Sequence, residues 1–161
     1  MLHSVTLRPA RAEDASTIRR LVRAERLDPT SLRWPNFLVA EEDGAIIGIG
    51  QVKPYSGGRE LGSLVVLPAH RHQGVGSLIV RALIEREQGE LFLFCQRRLE
   101  PYYERFGFRR AGRHQLRGTL RRKYLFARVF RLFGVNVIAM KREAPAQLEP
   151  RPSGPERADS R

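Results

Sequence analysis

Leu64-Val65-Val66-Leu67-Pro68-Ala69-His70-Arg71-His72-Gln73-Gly74-Val75-Gly76 reads as a buried strand running into a glycine-punctuated turn, and the amphipathic pattern after it predicts a helix over Ser77–Glu87. A strand ending in such a turn gathers free backbone N–H groups and the positive end of the next helix around one small volume, where a phosphate or pyrophosphate can sit. Gly74 and Gly76 have no Cβ, so the backbone can approach a ligand closely and take positive φ. Two commoner phosphate loops are excluded. There is no Gly-Lys-Ser/Thr to hold a metal and a γ-phosphate, and the glycine spacing does not make the dinucleotide fingerprint.

Upstream of this stretch, Val5-Thr6-Leu7-Arg8 alternates like a half-buried strand, and Asp14 is placed to cap a helix that carries Ile18, Leu21 and Val22 on one side. Asp28-Pro29 stops that helix near Arg26 and leaves Leu27–Pro35 as an irregular connection. Phe37–Ala40 and Ala45–Val52 are strands joined by an Asp43-Gly44 hairpin, with Gly48 and Gly50 marking a bulge or a close approach. A second turn at Pro54–Gly58 returns the chain as the strand Glu60–Leu67.

Downstream, Leu78, Ile79, Leu83 and Ile84 form the buried stripe of the helix, which Gln88-Gly89 ends. Leu91–Cys95 is short, apolar and bounded, as a central strand should be. A helix over Leu99–Phe106 follows, with Gly107 as its left-handed cap, then a strand from Phe108 and a last one over Val135–Met140. Between those last strands Thr119–Phe133 reads as an inserted, amphipathic basic helix: a cover for the sheet edge, a lid, or a binding face. Ala144–Arg161, with four prolines and few large apolar side chains, reads as a disordered tail after a single domain spanning 1–143.

Two of these segments carry a resemblance. Leu64-x-Val66-x-Pro68-x-x-Arg71-x-x-Gly74-x-Gly76 resembles the acetyl-coenzyme A signature of the GNAT superfamily of N-acetyltransferases, and Pro101-Tyr102-Tyr103-Glu104-Arg105-Phe106-Gly107-Phe108 is similar to that family's Tyr-x-x-x-Gly-Phe block. The resemblance covers about residues 5 to 142 and implies an α/β (α+β) fold with a mixed, mostly antiparallel sheet of about 6–7 strands, splayed between the fourth and fifth and flanked by helices. It further implies direct transfer of an acetyl group from acetyl-coenzyme A to a primary amine in one ternary complex, with no metal. Backbone groups of Leu64, Val65 and Val66 would bind the pantetheine arm; Arg71, His72, Gln73, Gly74, Val75 and Gly76 would bind the pyrophosphate. Tyr103 matches the family's tyrosine and would protonate the leaving thiolate. Glu60, eleven residues before Arg71, stands where some members carry a catalytic glutamate, while others pass the proton through ordered water. Gln96 replaces the asparagine often found seven positions before the tyrosine, which puts that residue's bond to the cofactor arm in doubt. Trp34 and Tyr55 lie on segments that usually line the acceptor side.

The totals fit this reading. A chain of 161 residues is one domain's worth, able to bury on the order of 70% of its unfolded surface. Its apolar runs fall short of the roughly 20 residues a membrane span needs, and Met1-Leu2-His3-Ser4 does not begin like a secretory signal, so a cytoplasmic monomer or homodimer is expected. Cys95 is the lone cysteine, which excludes an intramolecular disulfide and a cysteine-based metal site. The net charge of +12 is concentrated: Arg109–Arg142 holds eleven basic residues and no acidic one. Such a segment can recruit an anionic macromolecule, so the other function class is a coenzyme A-binding module that acts through its basic helix on nucleic acid or the ribosome.

Overall fold

The computed structural model describes residues 5–145 and begins with β1 (Thr6–Pro9), from which a 3-10 turn at Ala12–Asp14 leads into α1 (Ala15–Ala24). Asp14 does not cap α1 as expected. Its carboxylate accepts the Arg11 N–H at 2.7 Å and the Arg8 guanidinium at 2.7 and 3.2 Å, so a buried acid binds β1 to the start of the helix instead. β2 (Phe37–Glu42) turns through Asp43 and Gly44, whose φ values of 50° and 78° give the expected tight hairpin, into the long β3 (Ala45–Tyr55). β4 (Gly58–Val66) pairs back on β3 and feeds α2 (Val75–Glu87), which starts two residues earlier than the sequence pattern suggests because Gly74 is its left-handed N-cap.

β5 (Leu91–Gln96), α3 (Glu100–Glu104), the two-residue β6 (Arg109–Arg110), α4 (Gly118–Ala127) and β7 (Val137–Arg142) complete the chain. α3 is shorter than expected, a 3-10 turn at Arg97–Leu99 supplying its first part, and Gly107 at φ 85° stops the segment as predicted. The inserted helix divides in two. α4 ends at Ala127 and a 3-10 segment covers Arg128–Phe133. The tail expectation for 146–161 lies outside the described residues.

The seven strands form one sheet in the order β1-β2-β3-β4-β5-β7-β6, antiparallel except between β4 and β5. That is the expected mixed sheet. β2 is buried at four successive residues because both sheet faces are covered, and alternation deals Leu38 and Ala40 to one face and Phe37 and Val39 to the other. On the first face α2 lays Val75, Ile79, Val80 and Leu83 against Ile47, Val52, Leu61, Leu91 and Leu93. Each fully buried aliphatic there contributes about 1.5–3 kcal/mol. Gly48 and Gly50 allow α2 to lie directly on the strand, since a Cβ at either would come within 2.9 and 2.7 Å of Ile79. Bulges flank the same two glycines, so both readings of them hold.

On the second face, α1 packs on Phe37, Val39, Ile49 and Val65, whereas Leu116 and Leu120 of the α4 segment pack on Phe92 and Ala139. Between these two apolar groups the sheet carries polar residues. Gln51, Lys53 and Glu60 are all buried there.

Candidate functional site

β4 and β5 are joined at a single rung, Glu60 with Phe92, and beyond it they part. Leu64, Val65 and Val66 therefore turn one backbone edge toward a wedge inside the sheet rather than toward a strand partner. The cause is local: β4 has two residues, Ser63 and Leu64, opposite Gly50 alone, with Ser63 at φ 50°, and this bulge bends β4 away from its parallel neighbour.

The quoted turn stands where β4 ends. Its first helical bond runs from Leu78 N to Gly74 O (3.0 Å), so the N–H groups of Val75, Gly76 and Ser77 end the helix without ladder partners. His72 and Gly74, at φ 63° and 88°, fold the chain so that this positive end is presented outward. A Cβ at Gly74 would meet nothing within 4 Å, which leaves an open approach for an anion, while Gly76 lies under the Tyr102 hydroxyl, 3.0 Å from where its Cβ would be. Arg71 shapes the turn. Its Nε donates to Val66 O (2.9 Å) and its Nη2 to Glu25 Oε1 (2.7 Å), while the Gln73 amide closes the turn on Ala69 O (2.9 Å).

The two tyrosines of α3 part company. Tyr103 is buried edge-on against Tyr102 and Phe108, and burial, with Cys95 of β5 nearby, pushes its phenol well above the usual tyrosine range. Tyr102 faces the first turn of α2. Cys95 is a packing residue: its thiol points at Met140 Sδ (3.9 Å), and burial pushes its pKa up to about 12. Gln96, exposed at the end of β5, accepts the Arg98 Nε–H at 2.7 Å.

Glu60 is not alone on its face. Lys123 of α4 reaches down and donates to Glu60 Oε2 (2.6 Å), Asp28 Oδ2 (2.7 Å) and the Tyr55 hydroxyl (3.2 Å), and Lys53 reaches the same Asp28 oxygen at 3.2 Å. Burial by itself would lower the Lys123 pKa and raise that of Asp28. The opposed charges win, holding Lys123 above the ordinary lysine value and Asp28 below the carboxylate range. The sequence pattern marks Asp28 as part of a helix breaker and Lys123 as one charge among several on the inserted basic helix. A signal was present: in so arginine-rich a chain there are three lysines, and Lys53, Lys123 and Lys141 all make ion pairs. Tyr55 joins this cluster, whereas Trp34 stands at the surface of the turn before β2.

The basic segment is also less free than its composition suggests, because Arg110 pairs with Glu100, Lys141 with Glu90 and Glu143, and Lys123 with Asp28 and the buried Glu60. Arg121, Arg122 and Arg128 remain exposed. Among the described residues no group of His, Cys, Asp and Glu could hold a metal ion, and no helix is long and apolar enough to cross a membrane.

Residues 33–110, which contain the turn, the wedge and α3, match the family model of the acetyltransferase (GNAT) domain. Solved structures of the same fold include N-acetylglutamate synthase from Neisseria gonorrhoeae complexed with coenzyme A and N-acetyl-glutamate, at TM-score 0.73 and 22% identity over 90% of this chain. This chain spans 36% of the synthase chain. Rv2747 from Mycobacterium tuberculosis, in complex with CoA and NLQ, matches at TM-score 0.68 and 18% identity over 86% of this chain and 98% of that one. The ribosomal-protein-S18-alanine N-acetyltransferase from Escherichia coli matches at 0.66 and 15%, over 91% and 97%. At such identities the likeness is one of fold. No curated protein matches the sequence.

Proposed function

We propose that the domain transfers an acetyl group from acetyl-coenzyme A to a primary amine, and the observation that carries the reading is the wedge between β4 and β5 with the open N-terminus of α2 at its end. The residues fit the cofactor. The Val75, Gly76 and Ser77 N–H groups, with the turn from Arg71 to Gly74, would hold the pyrophosphate, and the unpaired edge of Leu64, Val65 and Val66 would hold the pantetheine arm as an added strand. When bound, acetyl-coenzyme A supplies a thioester already activated toward an amine.

What the chain must add is orientation, a deprotonated amine and a donor for the departing thiolate. Tyr103 keeps its proton at any physiological pH because burial disfavours the phenolate, so it serves as a hydrogen-bond donor to charge developing on sulfur. Glu60, at the rung beyond which β4 and β5 part, receives the amine's proton directly or through water. The exposed Arg121, Arg122 and Arg128 favour an acceptor that belongs to an anionic macromolecule, at the mouth that α4 borders.

The test is an acceptor screen by thiol release, covering polyamines, aminoglycosides, amino acids and protein N-termini. Release above the uncatalysed rate with one amine class supports transfer. Tight coenzyme A binding without release for any class overturns it.

A further inference from the structure

The polar gap between the two apolar groups on the α1 and α4 face has a charge balance that depends on one residue from outside the sheet, Lys123. Among the described residues, Asp28 pairs with Lys53 and Lys123, and Glu60 with Lys123. Lys53 is fixed on β3 and fully enclosed. Lys123 comes from α4, which stands over the gap, and its side chain is about one-fifth exposed (22%).

The surroundings of Lys123 Nζ are complete for a primary ammonium. Its three donors meet three oxygens, Glu60 Oε2, Asp28 Oδ2 and the Tyr55 hydroxyl, and the rings of Tyr55 and Phe94 lie 4.9 and 6.0 Å from it. An unmet acceptor lies next to this arrangement. Gln51 is wholly buried and its Nε2 donates to Ser63 Oγ (2.9 Å), but its Oε1 has no partner. Gln51 pairs across the strands with Gly62, and Glu60 Oε1 stands over that glycine, 3.3 Å from where a Cβ would be. The Gln51 side chain and the second Glu60 oxygen are therefore neighbours across Gly62, next to the rung where β4 and β5 part. A buried acceptor in this state calls for an N–H.

Resting on the acetyl-transfer reading, we propose that Asp28, Tyr55, Glu60 and Gln51 form the seat of the acceptor's primary ammonium, and that Lys123 is its resting occupant, displaced when the acceptor enters. The acceptor that fits is an unbranched alkylammonium on an apolar stem, like the lysine that fills the seat. Exchange of one ammonium for another leaves the charge of the cluster unchanged, so displacement requires no uncompensated buried charge. The entering amine meets the Gln51 oxygen that Lys123 leaves without a donor.

The experiment measures butylammonium binding to the full chain, with tetramethylammonium, which has the charge but no N–H, as control. Lys123→Ala empties the seat. Its Tm should rise by about 3–6 °C at butylammonium near ten times the dissociation constant, with no rise in Lys123→Ala/Gln51→Leu and none with tetramethylammonium. An equal response to the two cations, or an equal rise in wild type and Lys123→Ala, overturns the seat. If Lys123→Ala does not fold, wild type carries the test: lysine ammonium NMR should show the Lys123 signal shifting or broadening with butylammonium while that of Lys141 stays fixed. No differential change overturns the proposal. Neither readout involves acetyl transfer, so failure of the seat is seen separately from failure of the acetyltransferase reading.

Discussion

Gly76 and Tyr103 show how far single residues can be read without a structure. Glycine is legible because backbone geometry leaves few reasons for it: Gly76 sits in the first turn of α2, under the Tyr102 hydroxyl at 3.0 Å from its missing Cβ. Gly76→Asp places a side chain against that hydroxyl and a negative charge among the helix's free N–H groups, so acetyl-coenzyme A affinity should fall by tenfold or more, roughly, in calorimetry. Equal affinity in the two proteins would remove the turn from the site. Tyrosine is less legible, because Tyr102 and Tyr103 are adjacent and only the packing assigns one to the core and the other to α2. Tyr103→Phe should keep cofactor affinity and lower kcat by about 100-fold, the scale of one general acid. If Tyr102→Phe shows that loss and Tyr103→Phe does not, the proton donor is the residue facing α2. Asp28 was illegible as a functional residue, since its partners lie 25 and 95 positions away.

Elements divide along similar lines. α2 was readable almost in full because its apolar stripe is regular, and its true start differs by two residues only because a left-handed glycine can serve as N-cap. α4 was readable as a basic insertion but not as a carrier of one inward-pointing lysine, because arginine and lysine score alike on a helical pattern while only contact with Asp28 and Glu60 distinguishes Lys123 from its neighbours. The exposed side of α4 has its own consequence. Reversal of Arg121, Arg122 and Arg128 to Glu should raise KM for an acidic protein acceptor, with a smaller penalty at high salt where the attraction is already screened. Efficient acetylation of spermidine that is indifferent to those reversals would make α4's arginines a solvated cover of the sheet.

For the whole molecule, the partly buried ion pairs set limits on both sides of neutrality. Asp28 is held below its ordinary value, so the stability it contributes is present above the unfolded carboxylate pKa of about 3.9 and fades as pH falls through that range. Lys123 is held above its ordinary value, so its contribution is full below about pH 10.4 and is lost as pH rises beyond it. The destabilisation caused by Lys123→Met should therefore be greatest between about pH 5 and 9 and shrink toward both extremes, read from Tm across the range. A uniform penalty would mean that the stem's packing, not its charge, matters. Local pattern by itself determined the strands, the helices, the phosphate turn and the two motifs of the family, because hydrophobic period, turn chemistry and glycine spacing act over a few neighbouring residues. Tertiary structure alone decided at which rung β4 and β5 part, which tyrosine is buried, and that Asp28, Tyr55 and Glu60 surround the Lys123 ammonium, since the sheet order brings together segments up to 95 residues apart, and only desolvation in that shared space turns ordinary charges into a coupled cluster.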